Sequence, residues 1–198
     1  KPIQDGLHIT DSELGRITGF YFALFYCFIA IPVGWLADRT NRVKVLSIAC
    51  GLWSAATAAC GMAANYGQLV AARMAVGVGE AGGVPQPYAI ISDTFPREQR
   101  GTAMGIFNLG PPIGSALGVA FGASLAAAYD WRVPFLIVGV IGVVTAVLVY
   151  IIVPEPARGR FDALPAAAAE PAHSFGQAIR AFFGNRILTL AAERKSVV

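Results

Sequence analysis

Long charge-free runs alternate with short charged turns along most of this chain, and the alternation predicts its architecture. Residues 17–37 carry no charge over 21 positions. A hydrocarbon core of about 30 Å takes about 20 helical residues, so this run predicts a membrane-spanning helix. The same reasoning places further spans over 45–64, 68–92, 102–129 and 133–153. Helices joined by turns this short must run antiparallel as neighbours. Ahead of the first span, Thr10-Asp11-Ser12-Glu13 has the form of a capping box, in which threonine and glutamate satisfy free amides at a helix start. Pro32 predicts a kink near one end of the first span, and Pro96 suits the first position of a helix. Pro154-Glu155-Pro156 stops the last span. The pattern therefore predicts an all-α, polytopic membrane bundle of five transmembrane helices within residues 1–156.

After Pro156 the chain changes character. Residues 157–173 are rich in alanine and proline, with arginines, and predict a linker. Residues 174–190 predict an amphipathic helix with Phe175, Ile179, Phe182, Phe183 and Ile187 near one face, at the membrane surface or against the cytoplasmic face of the bundle. Glu193-Arg194-Lys195 then ends the apolar pattern before a sixth span forms.

Basic residues close to the spans set the orientation. One side holds Arg39, Arg42, Lys44, Arg97, Arg100, Arg158 and Arg160; the other holds Lys1, Arg16 and Arg132. The first side is expected in the cytoplasm, with the N-terminus outside and the C-terminus inside. The chain opens on Lys1 with no signal peptide, so an upstream span is expected.

Composition narrows the functional class. The 198 residues are 56% hydrophobic and 14% charged, whereas charged residues make up about a quarter of a soluble domain. A net charge of +3, scattered along the chain, gives no reason to expect a nucleic-acid partner. Cys27, Cys50 and Cys60 fall in apolar runs without paired spacing and are expected as buried small hydrophobes. His8 and His173 lie in separate polar segments, so no metal site is expected. No nucleophile–base pair or phosphate loop appears, which argues against an enzyme and against any organic cofactor. Gly77-Val78-Gly79-Glu80-Ala81-Gly82 matches a dinucleotide fingerprint by spacing, but it lies inside a span with no preceding strand.

Two charges break the apolar rule. Arg73 and Glu80 sit seven residues apart in the third span, roughly 10.5 Å along a helix and on nearly one face. An ionisable group inside a membrane costs at least about 2.5–3.5 kcal/mol on insertion scales, so such groups persist where they face a cavity or a partner. Long side chains can narrow the gap to a direct or water-bridged contact, and a structural ion pair is the plainer reading. Desolvation and a nearby arginine act on the Glu80 proton in opposite senses, which suits a group that loads and releases a proton.

Other positions suggest packing or a cavity. Gly110, Gly114, Gly118 and Gly122 recur every four residues and place glycine along one ridge of the fourth span. The first span is crowded with aromatics, of which Tyr21 and Tyr26 are candidates to line a cavity. Gln86 and Asn108 are further candidates, since uncharged polar groups in spans seek partners inside a bundle; interhelical glue is the plainer role for each.

The turn Gly34-Trp35-Leu36-Ala37-Asp38-Arg39-Thr40-Asn41-Arg42-Val43-Lys44 resembles the signature Gly-x-x-x-Asp-Arg-x-Gly-Arg-Arg/Lys of the major facilitator superfamily. Gly34, Asp38, Arg39 and Arg42 match. Asn41 replaces the second glycine, an exchange eased by asparagine's tolerance of left-handed backbone angles, and the last base slips to Lys44. Arg73 followed by Gly77 resembles the superfamily's fourth-helix motif. Gly-x-Gly-Glu80-Ala81, the prolines Pro85 and Pro87, and Ile91-Ser92-Asp93-Thr94-Phe95-Pro96 resemble its spinster branch. Gly110-Pro111-x-x-Gly114 is similar to a fifth-helix motif associated with antiporters, with Ser115 departing from it.

The resemblance implies a secondary transporter working by alternating access, of which this chain would be the N-terminal half without its first helix. It implies that Asp38 latches against the missing C-terminal half, that Gly34 permits close approach, and that Arg100 is a charge partner for Asp38. The coupling ion would be a proton acting through Glu80, modulated by Arg73, with a lipid-like amphiphile or small organic anion as substrate. The expected setting is a bacterial inner membrane. A non-transporting membrane scaffold or receptor, and an inactive fragment, are the alternatives.

Overall fold

The computed structural model describes residues 2–161 together with residue 176; most of the expected linker, and the expected amphipathic helix over 174–190, lie outside the described residues. Among the described residues all regular structure is helical. A short α1 (Pro2–Leu7) precedes a continuous rod, Asp11–Ala37, made of α2 (Asp11–Gly15), a π-helical turn over Arg16–Tyr21 and α3 (Phe22–Ala37). The capping box forms: the Thr10 hydroxyl accepts from the Glu13 amide, and the Thr10 amide donates to Glu13 Oε2 at 2.9 Å. Those bonds from Thr10, aided by its hydroxyl, hold the Glu13 carboxyl below the usual carboxylate range. Glu13 lies ahead of the apolar run that begins at Ile17.

The chain continues as α4 (Arg42–Gly61), α5 (Tyr66–Glu80), α6 (Pro85–Thr94), α7 (Arg97–Asn108), α8 (Gly110–Ala128) and α9 (Arg132–Ile152). Among the described residues, four helical stretches are long and apolar enough to cross a membrane: Asp11–Ala37, Arg42–Gly61, Arg97–Ala128 and Arg132–Ile152. The region expected as one span over 68–92 is instead two helices, α5 and α6. Pro85 and Pro87 cause the division, because neither has an amide to donate and each ring would collide with the carbonyl four residues back. Gly82 and Gly83 carry the chain across the gap through tight bonds from their amides to the Gly79 and Glu80 carbonyls at 3.1 and 2.8 Å. Pro85, not Pro96, takes a first-turn helix position; Pro96 precedes α7 as its cap residue.

Helix α4 is the centre of the packing, with α9 against one side and α5 against another, and α3 lies on α5. These contacts are close because small residues face each other. A Cβ placed on Gly139 of α9 would lie 2.6 Å from the Ala58 amide nitrogen and 2.8 Å from the Ser54 carbonyl of α4. A Cβ on Gly77 would lie 2.8 Å from the Phe22 carbonyl of α3. In a bilayer, where lipid is as apolar as leucine, such backbone approach and its dispersion contacts drive association. Cys60 is fully buried and Cys50 partly so, but Cys27 is exposed on α3, against the expectation that all three are buried. Neither α7 nor α8 buries a residue.

Candidate functional site

Two features stand out from the bundle: the break between α5 and α6, and the turn between α3 and α4. Glu80 is the last residue of α5, so it sits on the break itself, partly buried. Its carboxylate makes no ion pair among the described residues. Arg73 does not reach it, because the guanidinium lies over the Phe135 ring of α9, 5.6 Å from the centroid. Of the direct or water-bridged contact anticipated from their spacing, the direct ion pair is absent, and the guanidinium meets an aromatic face. Just past the break Gln86 is 1% exposed, and both of its amide atoms lack a partner among the described residues. Broken helices at membrane depth are tolerated where protein or a cavity surrounds them, and half-helix ends are common settings for transported ions.

At the turn, Arg42 pairs with Asp93 at the end of α6 through a short contact from Nη1 to Oδ2. Asp93 is buried at 6% exposed and Arg42 is half-buried. Asp38 lies 4.0 Å from Arg42 Nη2, and its side chain is 73% exposed. The expected Asp38–Arg100 pair does not form: Arg100 donates from Nε to the Phe95 carbonyl at 3.1 Å, and the cation that meets the Asp38 carboxylate is Arg42, four residues on. Asn41 does not adopt the left-handed backbone anticipated for a glycine substitute. Its φ is −67° and ψ 114°, and its side chain caps α4 by accepting from the Lys44 amide at 2.7 Å. Arg39 folds back over the Trp35 ring, 4.2 Å from the centroid. Around Gly34 nothing among the described residues lies within 4 Å of a Cβ built there.

The strap that follows α9 closes over this turn, a feature the proline-stop reading of 154–156 missed. Glu155 accepts the amides of Arg42 and Val43, each at 2.9 Å. Arg158 donates to the carbonyls of Ala37, Asp38 and Thr40. The Gly159 amide donates to Asp93 Oδ1 at 2.9 Å, with Gly159 in a left-handed conformation at φ +66°. Opposite charges three residues apart, flanked by proline and glycine, were the available signal.

The cavity candidates do not converge. Tyr88 donates to Asn108 at 2.6 Å, tying α6 to α7. Tyr21 lies in the π-helical turn against Phe20, and Tyr26 stacks on Phe22 with centroids 6.0 Å apart. Gln86 lines a cleft of about 80 Å³ with Gly34, Ala37, Asp38, Arg42, Pro85 and Ala89. A larger, apolar cleft of about 480 Å³ lies between α6 and α7, walled by Ile91, Phe95, Ile106 and Phe107, with Glu98 and Gln99 at its edge. The sequence had offered none of these residues as cavity-lining, although Ile91 and Phe95 belong to the spinster-like motif. Of the glycines expected to pack, Gly77 meets α3, whereas Gly110, Gly114, Gly118 and Gly122 have nothing within 4 Å of a built Cβ among the described residues. Pro111 stands in the first turn of α8.

Known proteins place this architecture. The family model of the Major Facilitator Superfamily matches residues 1–192. An MFS-type efflux pump of Mycolicibacterium smegmatis is 32% identical over 169 residues, 85% of this chain and 38% of that protein. The sphingosine-1-phosphate transporter SPNS2 of Mus musculus is 33% identical over 166 residues, 82% of this chain and 30% of that protein. The crystal structure of a bacterial homolog to the human lysosomal transporter spinster, inward-facing and occupied, superposes with a TM-score of 0.72 at 33% identity, covering 86% of this chain and 42% of that one. The chain thus spans less than half the length of these relatives. It belongs to the Major Facilitator Superfamily, as a multi-pass membrane protein of the spinster-like branch.

Proposed function

We propose that the protein containing this chain is a proton-coupled secondary transporter that works by alternating access. In this reading Glu80 is the proton site, Arg73 modulates it, and Asp38 in the signature turn latches the two halves on the cytoplasmic side. The observation that carries the proton assignment is the position of Glu80 at a helix break, partly buried and without an ion-pair partner among the described residues. A fixed salt bridge would hold the carboxylate ionised; a carboxylate at a break, with its arginine on an aromatic ring, is available to exchange a proton. The name of one relative, a sphingosine-1-phosphate transporter, supports an amphiphile as substrate over a small organic anion.

The test is uptake by the full-length native protein in proteoliposomes with an imposed pH gradient. Glu80→Gln is expected to abolish accumulation driven by the gradient while sparing substrate exchange. Accumulation that persists in Glu80→Gln would move proton coupling to another residue. Competition between a sphingoid phosphate and a small carboxylate sharpens the substrate class, with the amphiphile expected to compete better.

A further inference from the structure

We propose that residues 154–159 are a positioning element for the signature turn, with Glu155 and Arg158 setting the strength of the Asp38 latch; this rests on the reading of Asp38 given above. The geometry matches charge to helix ends. At the turn α3 presents its C-terminal carbonyls and α4 its N-terminal amides, so partial negative and partial positive poles lie side by side. The strap supplies the complement of each. Arg158 takes the carbonyls of Ala37, Asp38 and Thr40, and the Glu155 carboxylate takes the amides of Arg42 and Val43.

Its third contact, from the Gly159 amide to Asp93, fixes the carboxylate that binds Arg42. Arg42 makes its short contact with Asp93, and the Asp38 carboxylate, 4.0 Å from Arg42 Nη2, stays 73% exposed. The strap is also the stretch of chain through which α9 leads into residues 162–198. Glu155 and Arg158 are positioning residues and touch no substrate.

The experiment uses the full-length protein in proteoliposomes, in a background without its native cysteines, with Ala89→Cys as a reporter. Ala89 lines the cleft behind the turn with Gly34 and Asp38. Maximal transport rate, KM and thiol labelling from the turn side are read for Arg158→Ala, Arg158→Lys, Glu155→Gln and, as control, Asp38→Asn. Losing one cap of this kind is expected to shift the latch equilibrium roughly fivefold. Arg158→Ala should then slow turnover with KM little changed and speed labelling at position 89. Arg158→Lys should recover part of both, since it keeps the charge without the planar fork. Glu155→Gln retains the shape and one acceptor, so it reports on the strap even if Arg158→Ala fails to fold. If Asp38→Asn slows turnover while well-folded Glu155→Gln and Arg158→Lys match the parent in rate and labelling, the positioning role is overturned and the latch stands. If Asp38→Asn leaves turnover untouched, the latch reading itself falls.

Discussion

At Gly79 and Gly83, four residues apart across the helix break, a built Cβ would come within 2.6 and 2.5 Å of Trp53 on α4. At Gly114 and Gly118, also four apart, nothing among the described residues comes within 4 Å. The two stretches look alike as sequence, with glycine recurring at the spacing that builds a ridge on one helix face. In one the ridge is occupied by another helix of the same bundle; in the other it faces outward from helices that bury no residue. Glycine spacing establishes that a backbone can be approached closely. It does not say what approaches, because the partner is chosen by the path of the rest of the chain.

The contrast predicts unequal sensitivities. The largest effect is expected at Gly139, whose near neighbours are backbone atoms of α4 that cannot rotate aside. Gly139→Val should destabilise the bundle by about 1–3 kcal/mol or more through overpacking. A clear fall in thermal midpoint in detergent checks it, and an unchanged midpoint would mean α4 and α9 can separate freely. The effect at Gly118 is expected to depend on what else is present. Gly118→Leu should leave this chain expressed alone within about ±0.5 kcal/mol of the parent, the range of substitutions that touch nothing. The same change should lower the thermal midpoint of the full-length protein if its remaining part docks on α8. Equal behaviour of the long and short proteins would make the ridge a lipid-facing surface.

A modest effect outside both ridges serves as their control. Thr10→Ala removes the capping box and should cost about 1 kcal/mol. Because the Glu13 carboxyl is held below its usual range when folded, its contribution is present above the unfolded value of about 4.3 and is lost as the pH falls. The Thr10→Ala penalty should therefore shrink in melts carried out at acid pH.

Long helices covering 17–37, most of 45–64 and most of 133–153 were legible because a charge-free run of helical length has no other economical conformation in a membrane. The break at 81–84 was legible in principle from Gly82-Gly83 before Pro85-x-Pro87, yet hydropathy averaged over the window hides it. The capping box was readable because its partners are three residues apart. Asp93 and Arg42 are 51 residues apart, and Glu155 caps amides more than 110 residues away, so no local pattern announces them.

By itself, then, the sequence determined most of the helical runs apolar enough to cross a membrane, which two charges interrupt the apolar pattern, and which turn carries the family's signature. Those are properties of composition, period and short-range bonding, and they hold whatever the helices later do. Tertiary structure alone decided that Arg73 would settle on Phe135 and not on Glu80, that Arg42 would belong to Asp93, and that the chain leaving α9 would return to close the turn. The reason is that a long side chain can satisfy its charge in several directions, and only the packed positions of other helices determine which partner is within reach.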